Sequence, residues 1–242
     1  MSFSRRDRLR LLFRSFALQG SWNFPRMQGL GFLYAIAPWL RKAAGKDARS
    51  VFRLHLGYFN TNPYMATYVL GVVARLEEEG RGEESVQMRT NLMGPLGAIG
   101  DGLYWASFRP LCLLSALLIA TVRVEAAPVF FIIAYNAVHI ADRWFYLNFG
   151  YEKAHEAIKG ALSLKDRSVG RVSRILITPL AGFLLGFTVF ATGTPGIALL
   201  VFASAFILYR RKWRTPVVLA VILFLAIVLG FFGARTSVPW SV

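Results

Sequence analysis

Glycines at positions 94, 97, 100 and 102 surround a single carboxylate, Asp101, inside the apolar run LMGPLGAIGDGLYWASFRP at 92–110. A carboxylate in such a run is expensive to desolvate and ordinarily faces a partner or an aqueous cavity. Backbone this rich in glycine leaves peptide groups that hydrocarbon cannot satisfy, unless they line a cavity or pack within protein. The spacing predicts a re-entrant or broken helix, bent at Gly94, Pro95, Gly97 and Gly100, beside a solute path. Close helix packing through small residues is the alternative for the glycines. Arg109 is the nearest ion partner in sequence for Asp101. Trp105, one helical turn beyond it, offers an indole face on which a sugar ring can rest.

Asn60, Thr61 and Asn62 bring three hydrogen-bonding side chains to a helix start just ahead of Pro63. Proline disfavours the helical region for the residue before it, so Asn62 is a natural N-cap and Pro63 a natural first residue. Capping accounts for one asparagine, and the other is available to a neutral polyol. Further on, Asn136, His139 and Arg143 share one helical face, with Asp142 beside it. So dense a polar stripe belongs in a bundle interior or along a pathway rather than against lipid. Taken alone, His139 is more simply a core histidine than a proton or phosphoryl carrier.

No self-contained active site emerges. The histidines, His55, His139 and His155, have no metal-ligand spacing, and there is no Gly-x-Ser-x-Gly elbow. The glycines at 94–102 lack the following Lys-Ser/Thr pair of a phosphate loop. Cys112 is the single cysteine and sits in an apolar run. No catalytic residue, metal or cofactor is therefore expected.

The elements that must position these residues are helical and membrane-embedded. Of 242 residues 55% are hydrophobic, and the mean hydropathy is +0.47. Lys and Arg number 28 against 13 acids, a net charge of +15. The cations cluster beside apolar spans, in Arg5, Arg6, Arg8, Arg10 and Arg14, between Lys153 and Arg174, and at Arg210, Arg211, Lys212 and Arg214. That is the pattern of topology marking rather than nucleic-acid binding. In the first 20 residues, Leu9, Leu12, Phe13, Phe16 and Ala17 form an apolar stripe among arginines, which suits a helix on the cytoplasmic membrane surface; an ordinary solvated amphipathic helix is the alternative.

Helices are expected from about Pro25 to Trp39, interrupted or kinked at Pro38, at 47–59 and at 63–79, followed by a polar loop GRGEES. Spans follow at 110–123, 128–147, 175–192, 195–209 and 217–233. With the N-terminus inside, the basic loops 148–174 and 210–216 are cytoplasmic, and the C-terminus is outside. The fold class is thus all-α: a polytopic membrane helical bundle with a broken, Gly-rich segment and an N-terminal amphipathic surface helix. Three regions are expected: a surface helix (1–20), a core with broken helices (21–160) and C-terminal transmembrane helices (161–242).

Several runs carry a family resemblance: Gln19 to Phe24, Arg26-Met27-Gln28, Leu30-Gly31-Phe32, Phe59 to Pro63, Leu92 to Leu96, Ile99-Gly100-Asp101, Arg109-Pro110 and Gly150-Tyr151. Together they resemble the IID membrane component of the mannose/fructose/sorbose-type phosphotransferase system. The resemblance implies a subunit of the bacterial inner membrane paired with a IIC subunit of related fold, in an assembly of several such pairs. It also implies movement of a hexose while soluble IIA and IIB proteins carry phosphoryl groups on their own histidines. This chain departs from the family pattern at Pro25, where an acidic residue is usual, and in the short Ala191–Pro195 turn, where a longer extracytoplasmic segment is usual. Two other functions remain open: a subunit of a regulatory rather than sugar-transporting system, and a membrane enzyme acting on lipid head groups.

Overall fold

A computed structural model describes residues 3–192. The chain divides into two units, 1–180 and 181–242, and nearly all the described residues belong to the first. The expected spans at 195–209 and 217–233, the turn entering residues 193–195 and the C-terminal tail lie outside the described residues. Among those described, the architecture is helical, with isolated bridges joining Asn23 to Met27 and Met27 to Phe59.

Helix α1 runs Arg5–Ser15, shorter than the 20 residues expected. Ser4 caps it, accepting from the Asp7 amide, while the Asp7 carboxylate accepts from the Ser4 amide at 3.1 Å, a reciprocal box that satisfies two otherwise orphaned donors. Leu11 and Leu12 point into the bundle, whereas Leu9, Phe13 and Phe16 are exposed.

Helix α2 begins at Gly29, after the turns that contain Pro25, and continues through Pro38 to Ala44. The expected interruption does not occur, and the neighbouring helix α1 supplies the reason. Pro38 has no N–H to give the carbonyl four residues back, that of Tyr34. Arg14 of α1 supplies the missing donor, its Nε lying 2.7 Å from the Tyr34 oxygen. Further along α2, Trp39 donates its indole N–H to the Ala74 carbonyl at 2.8 Å. Helix α3 (Ala48–His55) then returns the chain toward the Asn60 segment.

Helix α4, Ala66–Glu78, is the axis of the bundle: Ala66 to Ala74 are all buried. A helix apolar on every face is stable only when surrounded. It meets α7 (Ala126–Glu152) at backbone contact, because a Cβ on Gly71 would lie 2.2 Å from the Leu147 carbonyl and one on Gly150 2.1 Å from that of Tyr68. The regular helix starts three residues after Pro63, yet the Ala66 amide bonds back to the Asn62 carbonyl at 3.1 Å, so the first turn does spring from Asn62.

The expected polar loop after α4 is mostly helix. Gly80, at φ +72°, makes the turn, and α5 starts at Gly82. From there the chain stays helical through α5 (Gly82–Gly100), a π-helical stretch at Asp101–Phe108 and α6 (Arg109–Ala120). The predicted break at 92–110 is thus corrected: the segment widens by one residue per turn instead of opening. The wider turn precedes Pro110, whose ring would crowd the Ala106 carbonyl in a regular α-helix. Ser107 ties the stretch together, its hydroxyl donating to the Gly102 carbonyl at 2.7 Å. Residues 110–120 are therefore not a separate short span. Gly82–Ala120 forms one 39-residue helix whose most apolar window has a mean hydropathy of 1.6, the one such candidate among the described residues.

Beyond α7, the basic segment after residue 152 folds into the short helix α8 (Ala157–Ser163) and leads to α9 (Ser168–Thr192). Leu113, Leu117, Ile132 and Ile133 on α6 and α7 remain exposed.

Candidate functional site

The first-turn residues of α4 and the π-helical stretch face each other. Thr61 and Asn62 are buried, and Asn60 is exposed beside them. Gln28 holds the strand-like approach to this turn in the manner of a pairing strand: its side-chain amide donates to the Thr61 carbonyl at 2.9 Å and its side-chain oxygen accepts from the Thr61 amide at 3.1 Å. Thr61 donates its hydroxyl to the Met93 carbonyl at 2.9 Å, two residues ahead of Pro95 in α5. Asn62 uses both ends of its amide. Its oxygen accepts from the Tyr64 amide at 3.1 Å, capping the turn, and its nitrogen donates to Asp101 Oδ1 at 3.0 Å.

Gly100 makes this approach possible, because a Cβ there would sit 2.4 Å from Asn62 Cβ and Cγ. The result is a cleft of about 550 Å³ lined by Asn60, Thr61, Asn62, Asp101 and Trp105, with Gly94 and Gly97 forming one wall and Gln19, Trp22 and Gln28 another. Trp22 and Trp105 are 54% and 39% exposed, enough to present indole faces to the cleft. Such a combination, a few convergent polar groups between aromatic faces in a cavity of roughly 300–1,000 Å³, is typical of small-molecule sites. Its chemistry is hydrogen bonding and ring stacking, with one carboxylate to accept from hydroxyls.

Some expected members lie elsewhere. Arg109 does not line the cleft, and among the described residues Asp101 pairs with Asn62 rather than with Arg109. Pro95 lines a smaller, mostly apolar cavity with Lys165 on its rim. The Asn136–His139–Arg143 stripe is also outside the cleft. His139 bonds Asn136 at 2.9 Å and stacks on Tyr64, centroids 4.7 Å apart. Arg143 donates to the Ser15 carbonyl and hydroxyl at 3.1 and 3.0 Å, closing the C-terminal end of α1. Both side chains therefore have packing duties.

Two groups of residues were not singled out from sequence. Gln19, Trp22 and Gln28 precede α2; they lie in runs that carry the family resemblance, but nothing in their local sequence points to a shared site with Asn60–Asn62. The other group is a buried network in which Tyr104 donates to Asp142 at 2.5 Å, Tyr104 and Tyr146 share a bond of 2.8 Å, and Arg167 pairs with Asp142. Asp142 was legible as part of the polar stripe, but its partners come from 38 and 25 residues away.

The fold and cleft define a helical protein with a hydrophilic recess and, among the described residues, one helix long and apolar enough to cross a membrane, and comparison with known proteins specifies the family. The family model for the mannose/fructose/sorbose phosphotransferase system IID component matches residues 2–190, and the chain belongs to that family. It is 36% identical over 155 residues to the mannose-specific EIID component of Escherichia coli K12, covering 60% of this chain and 55% of that one. The match thus spans little more than half of that relative's length. The sorbose-specific EIID component of Lacticaseibacillus casei is 30% identical over 193 residues, covering 76% of this chain and 66% of its own length. Among solved structures, a chain of the cryo-EM complex of the mannose transporter ManYZ with microcin E492 superposes with a TM-score of 0.60 at 26% identity, over 96% of this chain and 97% of the other.

Proposed function

We propose that this chain works as a IID subunit that, with a IIC partner, shapes a hexose pathway across the bacterial inner membrane, while IIA and IIB proteins supply the phosphoryl group. The carrying observation is the convergence of Asn60, Thr61, Asn62, Asp101 and Trp105 on one recess beside the π-helical stretch. The amides and the carboxylate meet sugar hydroxyls, and the indoles of Trp105 and Trp22 cover the apolar ring face. A neutral, polyhydroxylated ligand suits a recess with one carboxylate and no lining cation. The π-helical stretch is the element best suited to adjust around it, since such wide turns recur where a helix must place side chains for binding.

In this reading the subunit is multi-pass and the N-terminus is cytoplasmic, with α1 at the membrane surface and the exposed aliphatic rows of α6 and α7 facing lipid or the IIC partner. The positive charge in 148–174 supports the same orientation. The test is binding of radiolabelled hexoses to the co-purified IIC–IID pair. Cleft substitutions should weaken binding, and Asn136→Ala, outside the cleft, should not. Equal binding by all variants would move the sugar away from this recess.

A further inference from the structure

A second, larger recess lies between α1 and α2 and has the opposite chemistry. Its volume is about 940 Å³, and Arg10, Arg14, Arg41 and Lys42 line it with one carboxylate, Asp7. Lys42 occupies that carboxylate at 2.6 Å, and the Ser4 hydroxyl shares it at 2.6 Å. Arg14 spends its Nε on the Tyr34 carbonyl freed by Pro38, with its guanidinium 3.6 Å from the Tyr34 ring. Arg41 lies over Phe52 at 5.6 Å, and neither it nor Arg10 has a carboxylate partner among the described residues. Three guanidinium groups thus line a recess where the described residues provide no free anion, an arrangement that gains from an external one.

The rim identifies the kind of anion. Phe13 lines the recess and is 67% exposed, and Leu9 and Phe16 are exposed one turn to either side of it on the same helix face. A small soluble anion has no use for such a rim, whereas an amphiphile uses both parts. We propose that the α1–α2 recess binds an anionic phospholipid, its phosphate held by Arg10, Arg14 and Arg41 and its acyl chains laid along Leu9, Phe13 and Phe16. The proposal does not depend on the sugar cleft. It would fix α1 against the membrane surface by a specific lipid rather than by general surface charge.

The full chain, purified in a non-ionic detergent, is titrated separately with dioctanoyl phosphatidylglycerol, dioctanoyl phosphatidylcholine and inorganic phosphate, and binding is read by native mass spectrometry and by thermal shift. Phosphatidylglycerol should bind at least about tenfold tighter than the other two, and the preference should fade near 1 M salt, where the screening length is about 3 Å. Arg10→Gln combined with Arg41→Gln, both exposed, should lower phosphatidylglycerol affinity by roughly 30-fold, about fivefold per cation. Phe13→Ser should weaken the lipid without changing the response to phosphate. Equal binding of phosphatidylglycerol and phosphatidylcholine overturns the proposal. So does phosphate binding as tight as that of phosphatidylglycerol, which would indicate a simple phosphate site. Should the double variant not fold, the wild-type lipid preference and its salt response still decide the matter.

Discussion

Asn62 Nδ2 donates to Asp101 Oδ1 at 3.0 Å, joining the start of α4 to the start of the π-helical stretch. The bond orients a carboxylate whose residue is exposed to the cleft, and among the described residues it is the carboxylate's one hydrogen bond to protein. Asp101→Asn keeps the shape and removes the charge. A hydrogen bond to a charged group is worth about 1.5–3 kcal/mol, so sugar uptake by the complete complex should fall roughly 10- to 100-fold at unchanged protein level. Uptake at the wild-type rate would take Asp101 off the pathway.

Two glycines of the same helix should respond oppositely to alanine. At Gly100 the added methyl would meet Asn62 and Met65 at 2.4 and 2.7 Å, and Gly100→Ala should destabilise by about 1–3 kcal/mol through overpacking. At Gly102, which no proline follows, nothing apart from its chain neighbours lies within 4 Å, and alanine gains up to about 1 kcal/mol of helix propensity. Thermal unfolding in detergent should rank the three proteins Gly102→Ala, wild type, Gly100→Ala in descending order. A reversed order would mean that the close approach at Gly100 is absent.

Trp105 offers a cleaner separation of binding from stability. It is 39% exposed, so Trp105→Ala should leave the unfolding midpoint within the small range of surface substitutions. If the indole carries a sugar face, the half-saturating sugar concentration should rise about tenfold, with Trp105→Phe recovering part of the loss. An equal loss of maximal rate in both variants, without a change in half-saturation, points to packing instead.

The residues around the cleft were readable because each broke a local expectation: a carboxylate among glycines, three polar side chains before a proline, an indole one turn away. What could not be read was register and distance. Glycine content at 92–102 suggested an open backbone, but the helix kept its bonding by widening at Asp101, since the glycines that matter pack against neighbours. Gly100 meets Asn62, which is invisible until α4 is in place. Similarly, Pro38 marks a kink in any local reading, and only the fold brings Arg14 to the orphaned Tyr34 carbonyl. Proximity in sequence points Asp101 to Arg109, whereas a buried amide 39 residues away takes that place.

The Asp142–Arg167 pair is the strongest test of the interior. The Asp142 side chain is 4% exposed and that of Arg167 24%, with Tyr104 also donating to the carboxylate. Removing one partner from a buried pair costs about 3–5 kcal/mol, because the other charge is left uncompensated. Arg167→Met and Asp142→Leu should each lower the unfolding midpoint sharply, and the double variant should cost less than the sum of the two. Strict additivity would mean that the two residues do not interact.

Acid should loosen α1 from α2 through Asp7. Burial alone would raise its carboxyl, but Lys42 and the hydroxyl and amide of Ser4 outweigh that effect and hold it below the ordinary carboxylate range. The unfolded chain therefore binds this proton more readily than the folded one, so the contribution is fully present above about pH 4 and is lost as pH falls through the folded value. Glu79, held low by Arg75, His155 and Arg81 against its own slight burial, titrates in the same direction. Comparing wild type with Asp7→Asn isolates the Asp7 share. The variant should be less stable at pH 7, and the gap should narrow between about pH 5 and pH 3 as the wild-type carboxylate is protonated. A gap that stays constant across that range would show that asparagine fails to reproduce the capping geometry of Asp7 and that the charge contributes nothing.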